Sequence, residues 1–171
     1  MGFMAAHTSK IALGTASIVL PLRNPLHTAK AAVDQLSNGR LLLGVASGDR
    51  PVEFPAFNID PEKRGEIFRE RVEVIRRLQR TSFEHVSWSD GELIGADLVP
   101  KPTTNEIPLF VTGHSRQSLD WIAKHGCGWI TRGLPSGKHF MANVEVICVL
   151  AKRTGLLEAQ SLRLRTSVFR K

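Results

Sequence analysis

Hydrophobic and polar positions along the chain switch repeatedly between two periods. Residues 10–20 (KIALGTASIVL) form an almost unbroken apolar, β-branched run, the pattern of a strand buried on both faces. Pro21 ends it. Asn24 then offers a helix cap and Pro25 fits the first helical position, predicting a helix over 25–36. Asn38-Gly39 supplies a left-handed stop, and residues 41–46 read as a second buried strand. Such a strand–helix–strand unit has parallel strands and a right-handed crossover. After a loop at 47–51, Asp60-Pro61 repeats the cap-plus-proline device and opens the longest helix, to about Arg80. Phe68, Val72 and Ile75 line its apolar stripe, widened by Ile67, Val74 and Leu78. Glu62, Lys63, Glu66, Arg69, Glu70, Arg71, Glu73 and Arg76 read as its solvated face.

Residues 81–107 are less regular. Trp88, the Ser89-Asp90-Gly91 turn and Pro100-Lys101-Pro102 suggest an inserted loop or short hairpin. Residues 108–112 (PLFVT) predict a third parallel strand. A helix follows from Gly113-His114-Ser115 to about His125, with Leu119, Ile122 and Ala123 inward. Residues 128–131 predict a fourth strand and 136–153 a last helix, stopped by Gly155. Four βα repeats make an α/β architecture. A complete eight-unit barrel needs about 250 residues, so 171 residues fit half of such a barrel or a small open doubly wound sheet.

Composition narrows the class. With 42% hydrophobic and 23% charged residues the chain is globular rather than disordered. Two cysteines exclude a disulfide scaffold and suggest a reducing compartment. The net charge of +7 is concentrated at one end: residues 152–171 carry six basic groups against Glu158 alone. A basic tail of this kind usually marks a solvated terminus, and nucleic-acid binding through it is the minor alternative. The first residues lack a secretory pattern, and no apolar stretch approaches the ~20 residues of a membrane span. The expectation is a cytoplasmic protein.

Ligands of parallel α/β folds sit at the carboxyl ends of the strands. Here these are Arg23-Asn24, residues 47–50, residues 113–118 and Arg132-Gly133. Thr112-Gly113-His114-Ser115-Arg116-Gln117-Ser118 is the best anion-site candidate, because glycine permits close approach and Ser115 and Ser118 lie one turn apart. The plainer alternative is a serine helix cap. Arg64, in the first turn of the long helix, could reach the same anion or be an ordinary surface arginine; its position opposes the helix dipole. No dinucleotide fingerprint, phosphate-binding lysine loop or nucleophile elbow is present, and the six histidines show no metal-ligand spacing. Trp121 and Trp129 read as packing residues.

Several linked motifs resemble the bacterial luciferase-like monooxygenase family. They are Ile11-Ala12-Leu13-Gly14-Thr15, Pro21-Leu22-Arg23-Asn24-Pro25-Leu26, residues 34–45 (DQLSNGRLLLGV), Arg64-Gly65-Glu66-Ile67-Phe68, Pro100-Lys101-Pro102 and Val111-Thr112-Gly113-His114-Ser115. The resemblance spans roughly residues 9–155, nearest to luciferase-type oxidoreductases of unassigned substrate. It implies a partial (β/α)8 TIM barrel of about four βα units, family strands 3 to 6, over residues 1–155, with 156–171 as a basic tail outside it. It also implies a flavin-dependent oxidoreductase using reduced FMN, or a deazaflavin, with oxygen and a small organic substrate. By motif, Thr15, Ala16 and Ser17 would run beneath the flavin ring, and Ser47 and Gly48 would approach the ribityl chain and phosphate. Arg64, Ser115 and Ser118 would hold the phosphate, with Thr112 and Gly113 shaping the turn. The first two and last two family units have no counterpart, so a catalytic residue is not assigned. Exposed barrel edges are expected to drive homo-oligomerisation or other association. The rival to an enzyme is a flavin-binding or interaction remnant of the family.

Overall fold

The computed structural model describes residues 1–130. Thr131, the Arg132-Gly133 loop, the expected 136–153 helix and the 156–171 tail lie outside the described residues. Five helices, α1 Gly2–His7, α2 Pro25–Ala29, α3 Ala32–Leu36, α4 Arg64–Arg80 and α5 Leu119–His125, are described. Five strands form the main sheet: β1 Leu13–Gly14, β2 Ile18–Val19, β3 Leu41–Ala46, β6 Leu109–Thr112 and β7 Gly128–Ile130. β1 and β2 both pair with β3, which pairs with β6 and then β7, all in parallel. Sequential parallel strands with helices between them are an arc of a (β/α) barrel, and the barrel is partial. β4 Val86–Trp88 and β5 Gly91–Leu93 form the separate antiparallel hairpin suspected within 81–107.

Burial on the sheet alternates. Leu41, Leu43 and Val45 of β3 and Leu109 and Val111 of β6 point outward into the core, against Phe68, Val72, Ile75 and Leu78 of α4. Each such fully buried side chain contributes about 1.5–3 kcal/mol, so this one seam fixes α4 on the sheet. Leu42, Ala46, Phe110 and Thr112 face the other way, towards the barrel interior, and are only half-buried; Ile130 is 37% exposed. The carboxyl ends of β2, β3 and β6 therefore open beside an apolar inner surface.

The expected single strand over 10–20 is two short strands. Between the pairs Gly14↔Leu42 and Ile18↔Val45 the first strand advances four residues and β3 advances three. One residue is looped out, a bulge of the kind that re-aims side chains at barrel rims. Thr15 spans the gap: its hydroxyl donates to the Gly44 carbonyl and accepts from the Gly44 N–H, both at 2.9 Å. The backbones approach so closely that a Cβ on Gly44 would lie 1.9 Å from the Thr15 carbonyl oxygen.

The expected 25–36 helix is also divided. Its Asn24 cap holds, accepting from the Leu26 N–H at 2.9 Å. Lys30, however, is extended, with ψ at 125°. The segment around 100–103 docks at this break. Asp34 accepts from the Thr103 N–H and hydroxyl, and the Gln35 amide donates to the Lys101 carbonyl. Tertiary bonds thus override the helical propensity of the alanines. Asn38 and Gly39 are left-handed, as the stop requires, and Asp60 caps the turn before α4.

Arg71 departs from the solvated face assigned to it. It is 2% exposed and pairs with Asp90 of the hairpin turn at 2.5 Å and with Glu70 at 3.7 Å. Glu70 in turn accepts from the Ser89 N–H and hydroxyl, so the hairpin is clamped onto α4. α1, which the residue pattern does not announce, is held by Arg40, whose guanidinium donates to the carbonyls of Ala5, Thr8 and Ile11.

Gly44→Ala is expected to destabilise the chain by roughly 1–3 kcal/mol or more, the cost of overpacking a closed site, as a lower urea midpoint at unchanged slope. An unchanged midpoint would mean that the bulge yields freely.

Candidate functional site

The carboxyl ends of β3 and β6 lie side by side because the two strands pair from Leu43↔Leu109 to Val45↔Val111. Ser47 follows β3 directly, and residues 113–118 follow β6. One hydroxyl joins them. Ser115 Oγ accepts from the Ser47 N–H at 3.2 Å and donates to the Thr112 carbonyl at 2.8 Å. Both serines are nearly inaccessible, at 4% and 8%. The Ser115 proton is thus committed within the protein, and the side chain shapes the site rather than offering it a donor.

Ser115 is not the cap of the helix that follows. The α5 cap is Ser118, whose hydroxyl accepts from the Trp121 N–H at 3.2 Å. Ser115 and Arg116 are both left-handed, at φ 47° and 58°, a strained conformation that persists only where surroundings enforce it. Gly113 is pinned on both sides: its N–H donates to the Ile130 carbonyl, and its carbonyl accepts from Trp129 Nε1 at 2.8 Å. Trp129 is therefore an anchor of this loop as well as a packing residue.

Arg64 begins α4 beside the same loop. Its Nη1 donates to the Pro61 carbonyl at 2.5 Å, and Glu62 lies 3.9 Å away. The loop reaches the helix at the next residue. Gln117 Nε2 donates to the Gly65 carbonyl at 2.9 Å and to the Ser115 carbonyl at 3.0 Å. A Cβ on Gly65 would come within 2.8 Å of Arg116 Cβ, so glycine is what permits the contact. Arg116 also pairs with Glu62 at 3.6 Å. Two guanidinium groups share one carboxylate, which leaves the cluster net positive and suited to a multivalent oxyanion.

Thr112 faces inward at the end of β6, in register with Ile130. Its Oγ1 is buried and has no hydrogen-bond partner among the described residues. Such an atom is costly unless something else satisfies it. Gly48, at φ 87°, lies against Val19 and Phe54, where a Cβ would come 2.9 Å from each. It connects the Ser47 loop to the β2 side. There Thr15 is spent on Gly44, while Ala16 and Ser17 are exposed. Ser17 lines a groove of about 630 Å³ with Val19, Leu22, Arg23, His27 and Phe57.

Ser47, Arg64, Thr112, Gly113, Ser115 and Ser118 are thus gathered around two linked loops and one helix start, and Thr15, Ala16 and Ser17 lie across β3 from them. Gln117 and Gly65 lie within runs quoted from the sequence, which gives neither of them a role of its own. A glutamine in a polar loop carries no periodic or motif signal, and its role appears only in bonds spanning 52 positions. Other chemistries find less support. Burial pushes the Cys127 thiol above its ordinary range, which disfavours the nucleophilic thiolate. No group of three metal-ligating side chains occurs among the described residues, and no helix among them is long and apolar enough to cross a membrane.

Comparison with known proteins bears on the family and the fold. The family model described as luciferase-like monooxygenase matches residues 1–168. An uncharacterised protein of Mycobacterium tuberculosis is 34% identical over 138 residues, covering 77% of this chain and 48% of that protein. The alkanal monooxygenase beta chain of Photorhabdus luminescens is 29% identical over 128 residues, 73% of this chain and 40% of its own length. The chain spans about half the length, or less, of these curated relatives. Among solved structures, a monooxygenase from Streptomyces bottropensis superposes with a TM-score of 0.75 at 20% identity, over 90% of this chain and 48% of that one. The coenzyme F420-dependent tetrahydromethanopterin reductase of Methanopyrus kandleri gives 0.69 at 24%, over 90% and 49%. The oxygenating constituent of 3,6-diketocamphane monooxygenase of Pseudomonas putida, solved with FMN, gives 0.66 at 19%, over 90% and 47%. At these identities the structural likeness is one of fold, whereas the family model matches nearly the whole sequence. The chain belongs to the luciferase-like monooxygenase family.

Proposed function

We propose that the chain binds the phosphate of a flavin-type cofactor at the linked β3 and β6 loops and serves as the cofactor-holding part of a flavin-dependent oxidoreductase. The observation that carries this reading is the buried Thr112 hydroxyl, unpartnered among the described residues, beside loops that Ser115 ties to each other and Gln117 ties to the start of α4. It fits an incoming oxyanion, which would accept the Thr112 proton while Arg64 supplies charge. Ser118 borders the same site, and Ser115 and Gly113 hold its walls. Ser47 and Gly48 carry it towards the sugar-alcohol chain, and Thr15, Ala16 and Ser17 form a ledge for the ring system. When bound in its reduced form, a flavin supplies electrons to oxygen on behalf of an organic substrate. The contribution of this chain is to bind, to orient, and to present the apolar inner face that excludes water.

FMN is the cofactor this reading favours, because the diketocamphane monooxygenase of like fold was solved with it. A deazaflavin is the second choice, since the Methanopyrus reductase of like fold depends on coenzyme F420. The half-buried inner face supports association with a second copy or with further barrel units, which gel filtration would show as a mass above the monomer. Substrates are small organic molecules in this reading.

Arg64→Ala is expected to weaken FMN binding roughly 10- to 100-fold, the value of a charge-assisted bond, and to leave riboflavin binding nearly unchanged in flavin-fluorescence titrations. Equal FMN affinity in the variant would remove Arg64 from the site. With FMN saturating and photochemically reduced, the chain is expected to alter the rate of reoxidation by oxygen relative to free flavin. An unaltered rate would leave cofactor binding without turnover.

A further inference from the structure

We propose that Gln117 is the positioning residue of the phosphate site, setting the distance between the start of α4 and the β6 loop. The inference rests on the flavin-phosphate reading and extends it to a residue outside the set that the family resemblance picks out. Gln117 is 8% exposed, and its amide nitrogen donates to carbonyls of two different elements, Gly65 at 2.9 Å and Ser115 at 3.0 Å. Both partners are acceptors, so only the nitrogen end of the amide can face them and both of its protons are used. Its own N–H closes the turn onto the His114 carbonyl at 2.8 Å.

These bonds meet where the loop most needs holding. Ser115 and Arg116 are left-handed, and the Ser115 hydroxyl is what joins Ser47 to Thr112. Through Gln117 the Gly65 carbonyl, one residue from Arg64, fixes the peptide of Ser115, three residues from Thr112. One buried side chain thereby links the backbone next to Arg64 with the loop that follows Thr112, the two residues assigned to the phosphate. The parallel link, Arg116 to Glu62 at 3.6 Å, joins side chains 46% and 76% exposed. Exposed pairs of this kind do little, whereas a buried amide bonded to two carbonyls is costly to remove. Gln117 is therefore the strut that decides whether Arg64 and Thr112 can engage one anion together.

The test compares a flavin with a phosphate and one without. Wild type, Gln117→Leu and Gln117→Asn are titrated with FMN and with riboflavin by fluorescence, with folding checked by circular dichroism. Gln117→Asn retains a polar amide that is too short to span both carbonyls, so it decides the matter if Gln117→Leu fails to fold. Both variants are expected to lose about tenfold or more in FMN affinity and to keep riboflavin affinity within about twofold. Equal losses for the two flavins, or no loss for either, would overturn the proposal by making Gln117 a purely structural residue or an idle one. A wild-type chain with no preference for FMN over riboflavin would instead overturn the phosphate-site reading itself, and this inference with it. For a wild type that takes only the deazaflavin, coenzyme F420 and its phosphate-free core replace the two flavins, with the same outcomes expected.

Discussion

The Ser115 hydroxyl sits where two chain segments 68 positions apart meet, accepting from the Ser47 N–H and donating to the Thr112 carbonyl. Strands β3 and β6 bring these segments together because their outward leucines and valines are sealed beneath α4. The sheet alone would leave two independent loops at its carboxyl edge. With the hydroxyl in place they form one wall, and the half-buried Thr112 side chain faces inward beside it with its hydroxyl oxygen buried. Removing this hydroxyl would leave the Ser47 N–H buried and unpaired, which costs more than the bond itself contributes.

The same wall is fastened from behind. Gln117 and Gly65 dock the β6 loop on α4, and Trp129 and Ile130 grip Gly113 from the neighbouring strand. A site that must hold a multiply charged group needs supports that do not move when the charge arrives. Here those supports are buried hydrogen bonds between elements already fixed by apolar packing. Arg64 and Arg116 flank Glu62 beside this wall. A rigid backbone cradle with cations beside it suits an anion.

What the sequence made readable follows from which interactions are local. β3 appears over the expected residues because its apolar run is bounded by Asn38-Gly39 and by Ser47-Gly48. α4 appears because Asp60-Pro61 caps a clean stripe. The partial barrel and the family were likewise readable, since each βα unit and each motif is a short run of the chain. The bulge at Thr15 was not, because an extra residue in a β-branched run shows only in its pairing with β3. The break at Lys30 was hidden for a similar reason: Asp34 and Gln35 are captured by residues 101–103. Arg71 looked like a solvated residue until Asp90 met it across the hairpin turn. Ser115 and Ser118 divided their work in an order that spacing could not give, since the left-handed turn at 115–116 delays the helix.

The central claim is that residues following β3, beginning α4 and following β6 form one binding site. Amide chemical shifts followed during an FMN titration test this directly. The account predicts that signals of Ser47, Gly48, Arg64, Gly65 and residues 112–118 move together along one saturation curve, while those of the β4–β5 hairpin stay still. Shifts confined to the hairpin or to the base of the sheet, or separate curves for the two loops, would contradict it.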